Sequence, residues 1–199
     1  MTENSSQLPA LRMWRPDTDL PKLTLPQGFT LRLIREDEGQ AWCRCVLNDM
    51  GIDEVSQKLF EEKMLKDPNV PKNSIYCIAD LNDDPVATAT AQFKIDQDSA
   101  YLHMVGVRED MRGRGLGLHV NAAAIDHHRR NGHGQCFLTT HDWRLPALKQ
   151  YVRLGFLPVL NHESIRPRWG EILSKLGFES IVCVDDNRNY QEKILAQRS

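Results

Sequence analysis

Between residues 101 and 131 an apolar, β-branched and aromatic run, YLHMVGV, passes through a glycine-rich loop into a segment with helical hydrophobic spacing. A strand that enters a helix through Gly113, Gly115 and Gly117 presents free backbone N–H groups to an anion. Arg108, Arg112 and Arg114 supply charge of the matching sign. Together these residues predict a pyrophosphate cradle. A P-loop is excluded, because Gly117 is followed by Leu118 and His119 rather than by Lys and then Ser or Thr. A Gly-x-Gly-x-x-Gly dinucleotide loop is excluded too, since the sixth position counted from Gly113 is Leu118. The bland alternative is a turn that only joins a strand to a helix.

The flanking chain supplies a context for the loop. Residues 29–34 alternate as a first strand, and residues 38–47 read as a helix with Ala41, Trp42, Cys45 and Val46 on its apolar face. A second helix is expected over residues 53–66, capped by Asp53 and carrying Val55, Leu59, Phe60 and Met64. Residues 73–80 and 85–95 form a predicted hairpin about the turn LNDD, and residues 100–107 add a third strand. The helix after the loop spans residues 115–131, with Leu118, Ala122, Ala124 and Ile125 toward the sheet. His127, His128, Arg129, Arg130 and His133 crowd its end, where positive charge complements the dipole, and read as a solvated terminus rather than a metal site. A strand follows over residues 135–140. Next comes a helix on which Ala147, Leu148, Tyr151 and Leu154 recur at helical spacing up to Gly155. Helices first, then three antiparallel strands, then helix–strand–helix–strand is an α+β order.

Two motifs carry a family resemblance. Val107-x-x-x-x-Arg112-x-x-Gly115-x-Gly117 resembles the acetyl-coenzyme A signature of the GNAT superfamily of N-acetyltransferases. Ala147-x-x-x-Tyr151-x-x-x-Gly155-Phe156 resembles that superfamily's second conserved segment. The resemblance implies a mixed, mostly antiparallel central sheet flanked by helices, with the strand–loop–helix as the acetyl-CoA cradle. It implies that Arg112, Gly113, Arg114, Gly115, Leu116 and Gly117 hold the pyrophosphate, and that Val105 and Val107 offer backbone to the pantetheine arm. Gly106 suits a bulge or a close backbone approach there. Arg144 stands where the family often has asparagine, so it would reach coenzyme A by a charge-assisted bond.

The same resemblance assigns Tyr151 to protonating the leaving thiolate. His103, on the strand entering the loop, is similar to a histidine of the arylalkylamine acetyltransferases and is the candidate base. Asn48, Asp49, Asp53 and Glu54 are candidates to meet an amine. The expected reaction is direct attack of an amine on acetyl-CoA in a ternary complex. The other reading is a non-catalytic coenzyme A-binding sensor or interaction module on the same fold.

Composition limits the partners. A net charge of -2 with 26% charged residues argues against a nucleic-acid binder and suits a small-molecule or peptide amine acceptor. Cysteines 43, 45, 77, 136 and 183 show no paired metal spacing and read as reduced core thiols, and no metal is expected. No apolar run approaches a membrane span, and the N-terminus lacks the basic-then-apolar pattern of a signal peptide, so a cytoplasmic protein is expected. The family also admits a homodimer. The expected organisation is an N-terminal arm (1–28), an acetyltransferase domain (29–160) and a C-terminal extension (161–199), with Leu11, Met13, Trp14, Leu20, Leu23 and Leu25 pinning the arm.

Overall fold

A computed structural model describes residues 8–47 and 51–197. Asn48 and Asp49 lie outside the described residues. In chain order the first elements are β1 (Leu11–Arg15), β2 (Thr30–Leu33), α1 (Gly39–Val46), α2 (Gln57–Phe60), β3 (Ile75–Ala79), β4 (Pro85–Lys94) and β5 (Ser99–Val107). They are followed by α3 (Leu116–Arg130), β6 (Cys136–Thr140), α4 (Leu145–Arg153), β7 (Leu157–Pro158), α5 (Ile165–Leu176), β8 (Ser180–Val184) and β9 (Tyr190–Leu195). Two compact units result: Pro16–Phe137, and Met1–Arg15 with Leu138–Ser199.

In the unit Pro16–Phe137, β2, β3, β4 and β5 form an antiparallel meander, and β5 meets β6 in parallel at Tyr101–Phe137. The sheet is mixed and mostly antiparallel, as expected. Helices cover both faces. On one, Trp42 and Val46 of α1 pack with Ile52, Phe60, Met64, Ile75 and Met104, and the rings of Trp42 and Phe60 lie 5.3 Å apart. On the other lies α3, whose His127 Nδ1 is 3.2 Å from Tyr76 Oη. With both faces covered, residues 86–91 of β4 are all buried, which hides any alternation in that strand.

Three local expectations shift. Asp53 does not cap α2; the helix starts later, where extended Ser56 accepts the Leu59 N–H at 3.3 Å, and it runs on as a π-helical turn over Glu61–Leu65. The buried face of α3 holds Leu116, Val120, Ala123, Ala124 and Ile125, while Ala122 lines a groove with Leu20, Leu23 and Leu25. His128 is buried rather than solvated: burial pushes it down to about 4, with the Tyr101 carbonyl (3.3 Å from Nε2) acting against the shift. Burial likewise lowers His127, so neither imidazole complements the helix dipole at neutral pH.

In the second unit, residues 11–15 form the strand β1. Met13 and Trp14 of β1 pair with Pro158 and Leu157 of β7, and Leu11, Met13 and Trp14 are buried. Arg15 is fully buried and donates Nε–H to the Leu154 carbonyl at 2.7 Å, just past α4. Toward the C-terminus β8 and β9 form an antiparallel pair. Buried Trp169 and Leu173 give α5 its apolar face, and Arg168 holds Asp142 through Nε at 2.8 Å. All five cysteines are buried, and none is in a disulfide.

Candidate active site

The loop after β5 adopts the geometry its glycines suggest. Gly113 and Gly115 have φ of 80° and 78°, where a Cβ is strained, and an added Cβ at either would meet nothing within 4 Å. Open space therefore lies above both, at the start of a 15-residue helix that has Gly115 as its N-cap and no side-chain cap bond. Helix-first-turn amides left without a side-chain cap are where an anion is best received. Leu116 and Gly117 are buried, so they offer backbone only.

The arginines divide. Arg108 is drawn away from the loop by Asp84 at 2.6 Å and Asp110 at 2.8 Å, and its charge is spent there. Arg112 turns back, donating Nε–H to the Val107 carbonyl at 3.2 Å. Arg114 is exposed and forms no ion pair among the described residues. Farther along α3, Arg129 meets Asp17 and Asp19, and Arg130 meets Asp126. Arg112 and Arg114 are thus the cations of the loop that carry no carboxylate.

On β5 the pairing with β4 slips: Thr90 faces His103 and Thr88 faces Gly106, so Met104 and Val105 together oppose Ala89. Met104 takes φ 45° at this bulge. The alternation expected along β5 is reset there. Gly106 is explained by a close approach, because its Cβ would stand 2.3 Å from the Cys45 carbonyl oxygen of α1. Beyond Tyr101–Phe137, the second edge of β5 carries no strand of this unit among the described residues, which leaves backbone beside Val105 and Val107.

His103 stands opposite Thr90, with its ring 6.0 Å from that of Tyr101. Burial, reinforced by the Lys94 ammonium and opposed by Asp67, pushes it down to about 4. The imidazole is neutral at pH 7. The loop and His103 belong to the unit Pro16–Phe137, whereas Tyr151 and Arg144 belong to the other. Tyr151 is 7% exposed, with its ring edge-on to Phe156 at 5.8 Å. Arg144 precedes α4 and stacks over exposed Trp143 at 4.6 Å. Asp53 and Glu54 are exposed ahead of α2.

Two polar side chains escape a reading of the sequence. Thr90 and Gln92 are 0% and 5% exposed, and Thr90 Oγ1 and Gln92 Oε1 have no hydrogen-bond partner among the described residues. The only local sign is the polar i, i+2 spacing within TATAQFK. Among the described residues no group of three His, Cys, Asp or Glu could hold a metal, and no helix is long and apolar enough to cross a membrane.

No curated protein matches the chain. Among solved structures it is similar to a GCN5-related N-acetyltransferase from Sphaerobacter thermophilus, at 20% identity and TM-score 0.57, covering 76% of this chain and 49% of that one. A GCN5-related N-acetyltransferase from Kribbella flavida shares 20% identity at TM-score 0.51, over 75% and 54%. An acetyltransferase of the GNAT family from Novosphingobium aromaticivorans shares 17% at TM-score 0.54, over 75% and 59%. The chain spans about half the length of the first two, and at these identities the likeness is one of fold. The family model for the acetyltransferase (GNAT) family matches residues 34–156, more than half of the chain. With the glycine loop, the bulged strand and the mixed sheet in place, the chain belongs to the GNAT acetyltransferase family.

Proposed function

We propose that the protein moves an acetyl group from acetyl-CoA to a primary amine by direct attack in a ternary complex. The observation that carries this reading is the pair of left-handed glycines, Gly113 and Gly115, with open space over the uncapped start of α3. In this reading the backbone from Gly113 to Gly117 holds the pyrophosphate, with Arg112 and Arg114 adding charge and Arg144 a further contact. Once Arg112 leaves the Val107 carbonyl, Val105 and Val107 present backbone to the pantetheine arm. Five thiols without a disulfide fit a cytoplasmic setting.

The amine nitrogen attacks the thioester carbon, the C–N bond forms and the C–S bond breaks. Tyr151 gives its proton to the departing thiolate, and the nitrogen loses one. With His103 near 4, taking a proton from an ordinary alkylammonium would be uphill by roughly 9 kcal/mol. His103 therefore acts late, on nitrogen already bonded to the carbonyl carbon and far more acidic. The same weak basicity favours the second reading, a coenzyme A-binding module that catalyses nothing.

Thermal melting with and without acetyl-CoA tests the first step, with ATP and NAD as controls. Ligand at about 100 times its dissociation constant should stabilise the fold by about 2.7 kcal/mol. A shift with acetyl-CoA alone supports the cradle, and an equal shift with ATP sinks it.

A further inference from the structure

Thr90 and Gln92 lie two residues apart on one face of β4, directly across from His103 and Tyr101 on β5. Buried side-chain oxygens nearly always find a donor, yet Thr90 Oγ1 and Gln92 Oε1 find none among the described residues. Gln92 is nonetheless held firmly. Its Nε2–H donates to Asp67 at 2.9 Å, and Asp67 also accepts from the backbone and side-chain nitrogens of Asn69. That bond fixes the amide so that Oε1 is the free end. Along the same strand, Lys94 is half-buried with its ammonium 4.3 Å from the centre of the Tyr101 ring, and it has no carboxylate partner among the described residues.

The face thus combines unmatched hydrogen-bond acceptors, a neutral imidazole and a cation without a carboxylate partner among the described residues. Its complement is a molecule with N–H donors at one end and negative charge at the other. We propose that this face is the acceptor subsite, taking an amine that carries its own anionic group. The N–H bonds are directed at Gln92 Oε1 and Thr90 Oγ1 beside His103, and the anion at the Lys94 ammonium. This inference rests on the acyl-transfer reading above and names the class of substrate that reading leaves open. A carboxylate and a phosphate would satisfy Lys94 alike.

The test measures thiol release from acetyl-CoA with free amino acids, their methyl esters, phosphoethanolamine and ethanolamine. An ester keeps the amine and side chain but lacks the anion, and its amine is the more readily deprotonated, so a preference for the acid cannot come from nucleophilicity. Amino acids should exceed their esters at least about tenfold in kcat/KM, the scale of one charge-assisted contact. Phosphoethanolamine exceeding ethanolamine instead would support the same class with phosphate as its anion. In Lys94→Met the preference should vanish. In Thr90→Val the acceptor KM should rise about tenfold, with the acetyl-CoA KM and the melting temperature unchanged. A purely structural Thr90 would lower the melting temperature and leave KM alone. Esters acetylated as well as acids together with phosphoethanolamine no better than ethanolamine, or no compound acetylated while acetyl-CoA still shifts melting, would overturn the proposal. Absence of that shift would overturn the acyl-transfer reading and this one with it.

Discussion

Gly106 shows how one missing atom couples an element to a strand. Because its Cβ would stand 2.3 Å from the Cys45 carbonyl and 2.6 Å from Val46 Cγ1, Gly106→Ala should destabilise by about 3 kcal/mol, read by urea unfolding. Tyr151 tests chemistry instead. Tyr151→Phe keeps the edge-on contact with Phe156, so binding of acetyl-CoA should persist while kcat falls on the order of a hundredfold. Unchanged turnover would remove Tyr151 as the acid. At this scale the sequence was informative about identity and poor about environment. A motif marks Tyr151 and a strand position marks His103, but the burial and the nearby ammonium that weaken His103 as a base are visible only in the folded chain. Thr90 and Gln92 carry no motif, since a buried oxygen without a donor is visible only once every neighbour is placed.

The strand–loop–helix unit is the element whose local sequence says most, since left-handed φ values leave little choice but glycine. Gly115→Ala should cost about 1 kcal/mol of stability, because φ is 78° while the space for a methyl is empty. Acetyl-CoA affinity should drop by more than that, as the methyl enters the proposed pyrophosphate position, and titration calorimetry would separate the two. Elsewhere, legibility followed the range of the interaction. β3, β4 and β5 emerge from hydrophobic runs and a turn of four polar residues. β1 does not, because LRMWR gains its strand from pairing with residues near 158 and its arginine from a carbonyl at position 154. The start of α2 is less legible, because Asp53 and Ser56 are both good capping residues and only the structure shows Ser56 extended and accepting the Leu59 N–H.

For the whole molecule, acid is the informative stress. His103 and His128 are both held near 4, whereas the unfolded chain takes up these protons near 6.5. The unfolded state therefore binds more protons between those values. The contribution of the two histidines is fully retained above pH 6.5, falls as pH drops toward 4, and levels off below it, by up to about 3 kcal/mol for each histidine. Urea unfolding at steps from pH 7 to 4 should show that slope, and His128→Gln should flatten about half of it. The buried thiols have a practical consequence for assay chemistry. Cys45 and Cys77 are pushed up to about 12 by burial, and burial also raises Cys43 and Cys183. Thiolate, not thiol, reacts with chromogenic disulfides. The native protein should therefore contribute almost no colour of its own, and each thiol counted during turnover would be one released from coenzyme A.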